Sequence, residues 1–492
     1  MMDFSFKKCC SFLFIVIAVL LVYCNAVYSQ ETVSTDKNIL IRHVNIINVK
    51  DGSIAKDKAI LIKNNLVAAT GTFAEPEAKS TNYDTIDAHG RYAIPGLWDM
   101  HVHMEGEDLV EDNKALLQVY VAYGITTVRD AASDLGLQVL AWRDEINQGK
   151  LFGPRIFTAG RKLEGINSIW KGDMEIGNEE DLKKKLDTLQ MYKVDFVKIT
   201  ENTLPGDLFL TSVKEAKARG FKVSGHVPYD LSIHALADAG FSSIEHASYV
   251  LRLGSDEQEI VGEIKAGKLS KADAGKLYSN NFNQAKAIEG YRYLAKKNVA
   301  VCPTLIGGKQ LAYLDVDDHQ KDAYLQYLTK RFTSNYGWRI KRQAGDTKEQ
   351  VEQRKKNYEQ IAKQIPYLQS AGVLLLAGSD AAALNSFIYP ALSLHQELIL
   401  YQKAGLQPLA ILQSATLNGA KFMGVDDSLA AIAPGKIADI VLLNSNPLED
   451  VAATQDIYAV IKNGNYLDRK ALDSLLAQAK ERRIQLDAER TQ

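Results

Sequence analysis

The sequence predicts an α/β protein: a (β/α)₈ barrel of the TIM type beside a small β-sandwich domain built from N- and C-terminal segments. Three observations carry that expectation. The middle of the chain alternates apolar, β-branched runs with helical patterns, and eight strand–helix units can be counted, as an eightfold parallel barrel requires. The flanks share a different texture, short β-rich runs broken by turn dipeptides. Finally, 492 residues are too many for one small core, while 46% hydrophobic and 24% charged residues make an ordinary globular composition.

In chain order, residues 1–29 read as a signal peptide. Lys7 and Lys8 form a basic start, and residues 11–24 (SFLFIVIAVLLVYC) are apolar but short for a membrane span. Cleavage after Ser29, or after Ala26, implies an exported protein, periplasmic or secreted, with no stable membrane span after removal. A retained anchor is one alternative. Lipidation at Cys24 is another, although Tyr23 before it is bulky. Cys9, Cys10 and Cys24 lie in this segment, so only Cys302 remains and no intramolecular disulfide can form. Any metal ligands must therefore be histidine and carboxylate.

Residues 30–92 supply the first part of the sandwich, with β-rich runs at 39–48, 59–63 and 66–69 separated by Asp51-Gly52 and Asn64-Asn65. Residues 430–470 supply the second, with runs at 438–443 and 458–462 and a turn at Asn463-Gly464-Asn465. Residues 93–429 form the barrel. Its strands are expected at 92–102, 126–132, 155–159, 196–200, 222–227, 242–247, 299–305 and 373–381, with helical patterns such as 207–219 and 232–239 between them. Residues 253–295 are polar and helical in pattern. A longer helical insertion, about 307–370, follows the seventh strand and should stand on the catalytic face as a lid or wall. Its charge run at 348–363 reads as a solvated helix face. Residues 471–492 read as a closing C-terminal helix.

Catalytic groups in such a barrel stand at the C-terminal ends of the strands. The first strand ends in His101 and His103, which share one face because strand side chains alternate. The fourth carries Lys198, the fifth ends in Gly225-His226, the sixth in Glu245-His246, and the eighth in Gly378-Ser379-Asp380. A lone His-x-His is more often a satisfied pair than a metal site. Four of the nine histidines at strand ends change that weighting. His43, His89, His234, His319 and His395 fall elsewhere and read as structural or surface residues. The net charge of −2 gives no pointer to nucleic acid or an anionic membrane. No nucleophile elbow, cysteine nucleophile cluster or phosphate loop is present. A small-molecule substrate is expected, and a homo-oligomer is left open.

The chain resembles the amidohydrolase superfamily of metal-dependent hydrolases, in the branch of imidazolonepropionase-like proteins and Xaa-Pro or Xaa-Arg dipeptidases. The markers are Pro95-Gly96-Leu97 through His101-Val102-His103, Phe196-Val197-Lys198-Ile199, Gly225-His226, Ile244-Glu245-His246 and Gly378-Ser379-Asp380. Further on come His395-Gln396-Glu397-Leu398, Ala415-Thr416-Leu417-Asn418 and Pro434-Gly435-Lys436-Ile437-Ala438-Asp439. The resemblance implies that His101, His103 and Asp380 hold one metal ion, and His226 and His246 a second. Zn²⁺ is expected, as one or two ions. Lys198 would bridge them once carboxylated by CO₂; a one-metal site with a neutral or paired Lys198 stays open. Attack by a metal-bridging hydroxide would then cleave an amide or peptide bond of a small substrate, a dipeptide or N-acyl amino acid, with Asp380 as the catalytic proton carrier.

Two other readings remain. One is deamination or cyclic amide hydrolysis on the same scaffold. Lys198, and Tyr229 where family deaminases carry an acid, lean against deamination. The other is a binding protein that has kept the scaffold, which the intact ligand set opposes. Tyr229 is also a candidate substrate contact. Arg161 and Lys162 are read first as surface residues.

Overall fold

The computed structural model describes residues 38–72 and 83–491; the expected signal peptide lies outside them. Five strands come first: β1 (Asn38–Ile47), β2 (Ile54–Lys63), β3 (Leu66–Gly71), β4 (Tyr83–Asp87) and β5 (Tyr92–Pro95). Short strands follow: β6 (Leu97–Val102), β7 (Ile125–Asp130), β8 (Arg155–Thr158), β9 (Leu163–Gly165), β10 (Met174–Ile176), β11 (Val197–Ile199), β12 (Val223–Gly225), β13 (Ser243–Glu245) and β14 (Ala300–Cys302). The last are β15 (Ile440–Leu443), β16 (Ile457–Lys462) and β17 (Asn465–Leu467).

Strands from both ends of the chain share one sheet, in the order β17-β16-β15-β5-β1-β2-β3, with β4 also beside β1. The long β1 turns at His43, whose φ is +54°, and so pairs β4 with its first half and β5 with its second. β15 runs antiparallel to β5, with Ile440 opposite Pro95. The free edge at β3 bonds back: Val67 N donates to Lys436 O (2.8 Å) and Ala438 N to Asn65 O (2.8 Å). The curled sheet encloses Ile39, Ile41, Val44, Ile60, Ile62, Ile440, Leu442 and Ile461. The expected sandwich of two sheets is therefore met by one eight-stranded sheet curled on itself.

The central strands are parallel, as βαβ alternation demands. They make two sheets, β6-β7-β8 and β10-β9-β11-β12-β13-β14. Backbone hydrogen bonds join these at both edges. On one side Asp195 N, just before β11, donates to Thr158 O of β8 (2.9 Å). On the other, residues 373–381 lie between β14 and β6, through Leu376 N to Val301 O (2.9 Å) and Met100 N to Ala377 O (2.8 Å). That segment makes isolated bridges, Val301 with Leu375 and Val102 with Ala381, where a regular eighth strand was expected.

The first expected strand, 92–102, is two strands. It breaks at Gly96, where a Cβ would sit 2.2 Å from Thr126 Oγ1. β5 thus serves the curled sheet, and β6 the central ones.

The insertion is helical, with α-helices Leu305–Ala312, Lys330–Thr333, Gly337–Gln343, Lys348–Ala362 and Ile365–Ser370. Thr347 and Gln350 form a capping box on the charged Lys348–Ala362, which buries only Ala362. The C-terminal helix Arg469–Glu489 lies along the helix Val110–Ala122, through ion pairs of Arg482 with Glu111 (3.3 Å) and of Arg490 with Asp112. No helix among the described residues is long and apolar enough to cross a membrane.

Candidate metal centre

Every residue of β6 is buried, so its end delivers side chains into a dry interior. His101 Nε2 and His103 Nε2 lie 3.2 Å apart. Asp380 Oδ1 is 3.5 Å from the first and 3.3 Å from the second. His226, just past β12, and His246, just past β13, bring their Nε2 atoms to 3.2 Å. The two pairs adjoin, with the rings of His101 and His246 centred 5.1 Å apart.

The other ring nitrogens define the protonation of these imidazoles. His101 Nδ1 donates to Glu245 Oε2 (2.7 Å), His103 Nδ1 to Ala132 O (2.7 Å) and His226 Nδ1 to Glu201 Oε2 (2.8 Å). These oxygens only accept, so the neutral rings carry their proton on Nδ1 and present a lone pair at Nε2. His246 Nδ1 pairs with Thr304 Oγ1 (2.7 Å). Lone pairs and a carboxylate aimed at one another repel unless a cation lies between them. His101, His103 and Asp380 offer three ligand atoms within 4.8 Å of one another. The donor set therefore fits a divalent metal of the zinc kind, with imidazoles oriented by outer partners.

Those partners are themselves anchored. Glu245 takes two hydrogen bonds from Arg129 Nη2 (2.8 Å each) and one from Ser243 Oγ (2.6 Å). Burial pushes the Glu245 carboxyl up, but Arg129 and His101 outweigh it and hold it well below its ordinary value. Glu245, His101 and Cys302 also cluster, but Arg129 neutralises the acid, and burial drives the thiol up, away from the thiolate a metal needs. Glu201 accepts from the Tyr249 hydroxyl (2.7 Å); despite burial, His226 and then Tyr249 pull its carboxyl down to about 2. On β6, Asp99 fixes Ser379 through Ser379 Oγ (2.6 Å) and Ser379 N (2.9 Å).

Burial lowers the His101 imidazole to about 4, and lowers His246 well below its ordinary value. Burial pushes the Asp380 carboxyl up, but the neighbouring imidazoles, His103 foremost, outweigh it and hold the group ionised. Lys198, on β11, is buried, and its Nζ has no hydrogen-bond partner. Burial lowers its ammonium to about 8. His246, Thr304, Asp380 and Ala132 all hold positive φ (+74°, +49°, +60° and +101°), so backbone strain gathers around this cluster.

The cluster opens into a cavity of about 570 Å³ lined by His103, Lys198, His226, His246 and Asp380. Its outer wall includes Glu105, Lys162, Trp170 and, from the insertion, Arg331, Asn335 and Arg339. The insertion thus reaches the face on which the sequence placed it.

A protein-family model described as "Amidohydrolase family" matches residues 92–467. The chain belongs to the amidohydrolase family. This amidohydrolase is 23% identical over 484 residues to an ochratoxinase of Aspergillus niger, across 87% of this chain and 86% of that one. It is also 23% identical over 447 residues to an adenine deaminase of Desulforamulus reducens, across 87% of this chain but only 57% of the deaminase. In three dimensions it resembles a Xaa-Pro dipeptidase crystallised with bound methionine: TM-score 0.65, 20% identity, 88% of this chain and 100% of that one.

Of the residues singled out from sequence, His101, His103, Lys198, His226, His246 and Asp380 come together. Tyr229 does not line the cavity. It packs beside Tyr278 (ring centroids 6.4 Å apart) and over Arg252, in a separate apolar cluster. Lys162, read as a surface residue, lines the cavity and pairs with Asp173 (2.9 Å). Sequence reasoning named Glu245 at the end of the sixth strand without giving it a role, and missed Glu201, Thr304 and Arg339. Glu201 carried a signal, an acid adjoining a strand that already bore a ligand candidate.

Proposed function

We propose that this amidohydrolase is a metal-dependent enzyme that cleaves an amide or peptide bond of a small substrate, of the dipeptide or N-acyl amino acid type, in a (β/α)₈ barrel. The observation that carries the reading is Lys198: a buried amine without a partner, beside four converging imidazoles and a carboxylate. An ammonium there would remain desolvated and unpaired, which is costly. Carboxylation removes that cost. With burial lowering its ammonium to about 8, the neutral amine of Lys198 is accessible near neutral pH. That amine can add to CO₂, releasing one proton and leaving a carbamate whose two oxygens can ligate cations.

His101, His103 and Asp380 would then hold one ion, and His226 and His246 the other, with Lys198 between. Zinc-like ions in such a site lower the pKa of a bound water toward about 7 and polarise a carbonyl. The chain's own part is orientation and proton movement. Glu245, Ala132 and Glu201 keep three imidazole protons on Nδ1, so Nε2 stays a donor of electrons. Asp380, ionised and at the cavity wall, accepts the nucleophile's proton on its carboxylate and returns it to the leaving amine.

Deamination or cyclic amide opening is the second reading, favoured by the likeness to an adenine deaminase. Lys198, and Tyr229 in place of an acid, oppose it. A zinc-loaded sample tested on N-acyl amino acids, Xaa-Pro and other dipeptides, cyclic amides and adenine separates the two. Amide or peptide hydrolysis is expected. Release of ammonia from adenine without any amide hydrolysis would replace the first reading with the second. We also propose export after removal of residues 1–29, with N-terminal sequencing from the native host expected to begin near Gln30.

A further inference from the structure

We infer that Arg339, in the helical insertion, selects substrates that carry a free carboxylate; this rests on the hydrolase reading above and gives it a substrate class. The helix Gly337–Gln343 is sewn to the loop that follows Asp380. Trp338 Nε1 donates to Leu384 O (3.1 Å), Ser386 Oγ donates to Tyr336 O (2.8 Å), and Arg339 Nη2 donates to Asn385 Oδ1. Asn385 in turn donates from Nδ2 to the main-chain oxygen of Asp380 (2.7 Å). Two hydrogen bonds therefore tie the guanidinium to the backbone of the residue expected to carry the proton.

The charge on Arg339 is left over. Lys162 pairs with Asp173 (2.9 Å) and Arg331 with Asp108. Lys171 lines the same cavity but is exposed. Arg339 is only partly exposed, its Nε is buried without a hydrogen-bond partner, and no carboxylate among the described residues lies within ion-pair distance. Burial lowers the Arg339 guanidinium below its ordinary value, while Asp380 and Glu105 favour its charge and Arg342 opposes it. Asp380 is engaged by His101 and His103, and Glu105 by Leu384 N (3.0 Å). A partly desolvated guanidinium that lines the cavity and has no ion-pair partner among the described residues suits a planar anionic acceptor. A carboxylate matches, and 570 Å³ accommodates a dipeptide-sized molecule.

The test compares kcat/KM for matched pairs, N-acetyl-L-phenylalanine and its carboxamide, and an Xaa-Pro dipeptide and its carboxamide, in the zinc-loaded wild type, Arg339→Gln and Arg339→Lys. Direct binding of the acid and the carboxamide is measured by calorimetry on the same proteins. The wild type should prefer the acid. In Arg339→Gln the acid should lose about 10²-fold while the carboxamide loses far less, because an unmet charged hydrogen bond is the difference between them. Arg339→Lys should retain part of the preference. A preference that survives Arg339→Gln, or equal loss on both members of a pair, overturns the assignment. If the wild type hydrolyses none of the panel, the hydrolase reading fails. Calorimetry still judges Arg339: tighter binding of the acid to wild type than to Arg339→Gln supports it, and equal binding refutes it.

Discussion

In the mechanism proposed above, Asp380 separates catalysis from the holding of metal. Lost ligand affinity can be offset by mass action, whereas a lost proton acceptor cannot. Asp380→Asn at saturating zinc, with occupancy measured in the same sample, should keep the fold and lose at least about 10²-fold in kcat. Near wild-type turnover would require another base. His395, the remaining histidine of the marker motifs, cannot serve. Its Nδ1 pairs with Thr454 Oγ1 and its Nε2 with Tyr123 O, both at 2.9 Å. Burial lowers the His395 imidazole to about 4. The unfolded chain, at an ordinary value near 6.5, therefore binds the extra proton first as pH falls. His395 should contribute its full stability above about pH 6.5 and lose it between about 6.5 and 4. His395→Asn should flatten the fall in denaturation midpoint across that window, even if it lowers stability at pH 7; an unchanged slope would contradict a neutral buried His395. At this scale much of the centre was legible, since histidines, a lysine and an aspartate at strand ends are rare without a reason. Tyr229 was misplaced because its short distance in sequence from His226 says nothing about which way the chain turns after β12.

The helical insertion and the C-terminal helix are coupled. Arg490 reaches Asp112 of the helix Val110–Ala122, Asp108 O (2.9 Å), and Thr329 at the N-terminus of the insertion helix Lys330–Thr333 (3.2 Å). Lys330 N donates to Asp487 Oδ1 (2.9 Å), and Arg483 Nε to Leu328 O (3.1 Å). Asp112 is buried, so removing its cation leaves a charge poorly satisfied, a loss on the order of 2 kcal/mol. Arg490→Met should lower Tm by a few degrees and raise KM more than it lowers kcat, because the wall bearing Arg339 loosens. Unchanged thermal stability and KM would show that the terminal helix does not brace the wall. The helical character of the insertion, and its place over the centre, followed from polar 3.6-period patterning after the seventh strand. Arg339 did not, because its role depends on docking against residues 384–386, a contact with no local pattern. The expected strand 373–381 keeps only isolated bridges, and its end leaves the extended conformation, since Asp380 adopts a positive φ; close packing also requires glycine at 378, where a Cβ would lie 2.5 Å from Cys302 Sγ and 2.7 Å from His101 Cβ.

For the described part of the molecule, the N-terminal strands β1–β5 and the C-terminal strands β15–β17 are one structural unit. β15 covers the edge of β5 along Tyr92–Pro95, and the segment before β15 closes β3. A chain ending near residue 430 would expose the apolar cluster of Ile39, Ile41, Ile60 and Ile62 and the β5 edge that β15 covers, on the strand that leads directly into β6 and its histidines. Such a truncation should be insoluble or metal-free when expressed, and a soluble, zinc-replete product would contradict a shared sheet. This coupling was readable from the matching β texture of the two flanks. The curl into a single sheet was not, since it depends on the turn at His43 and on backbone bonds between residues far apart in sequence. The central claim, a two-ion centre held by both histidine pairs, is tested most directly by metal analysis. Purified, zinc-saturated and desalted protein should hold two equivalents per chain, falling to about one in His226→Ala. A single equivalent that His226→Ala leaves unchanged, or no zinc at all, would contradict it.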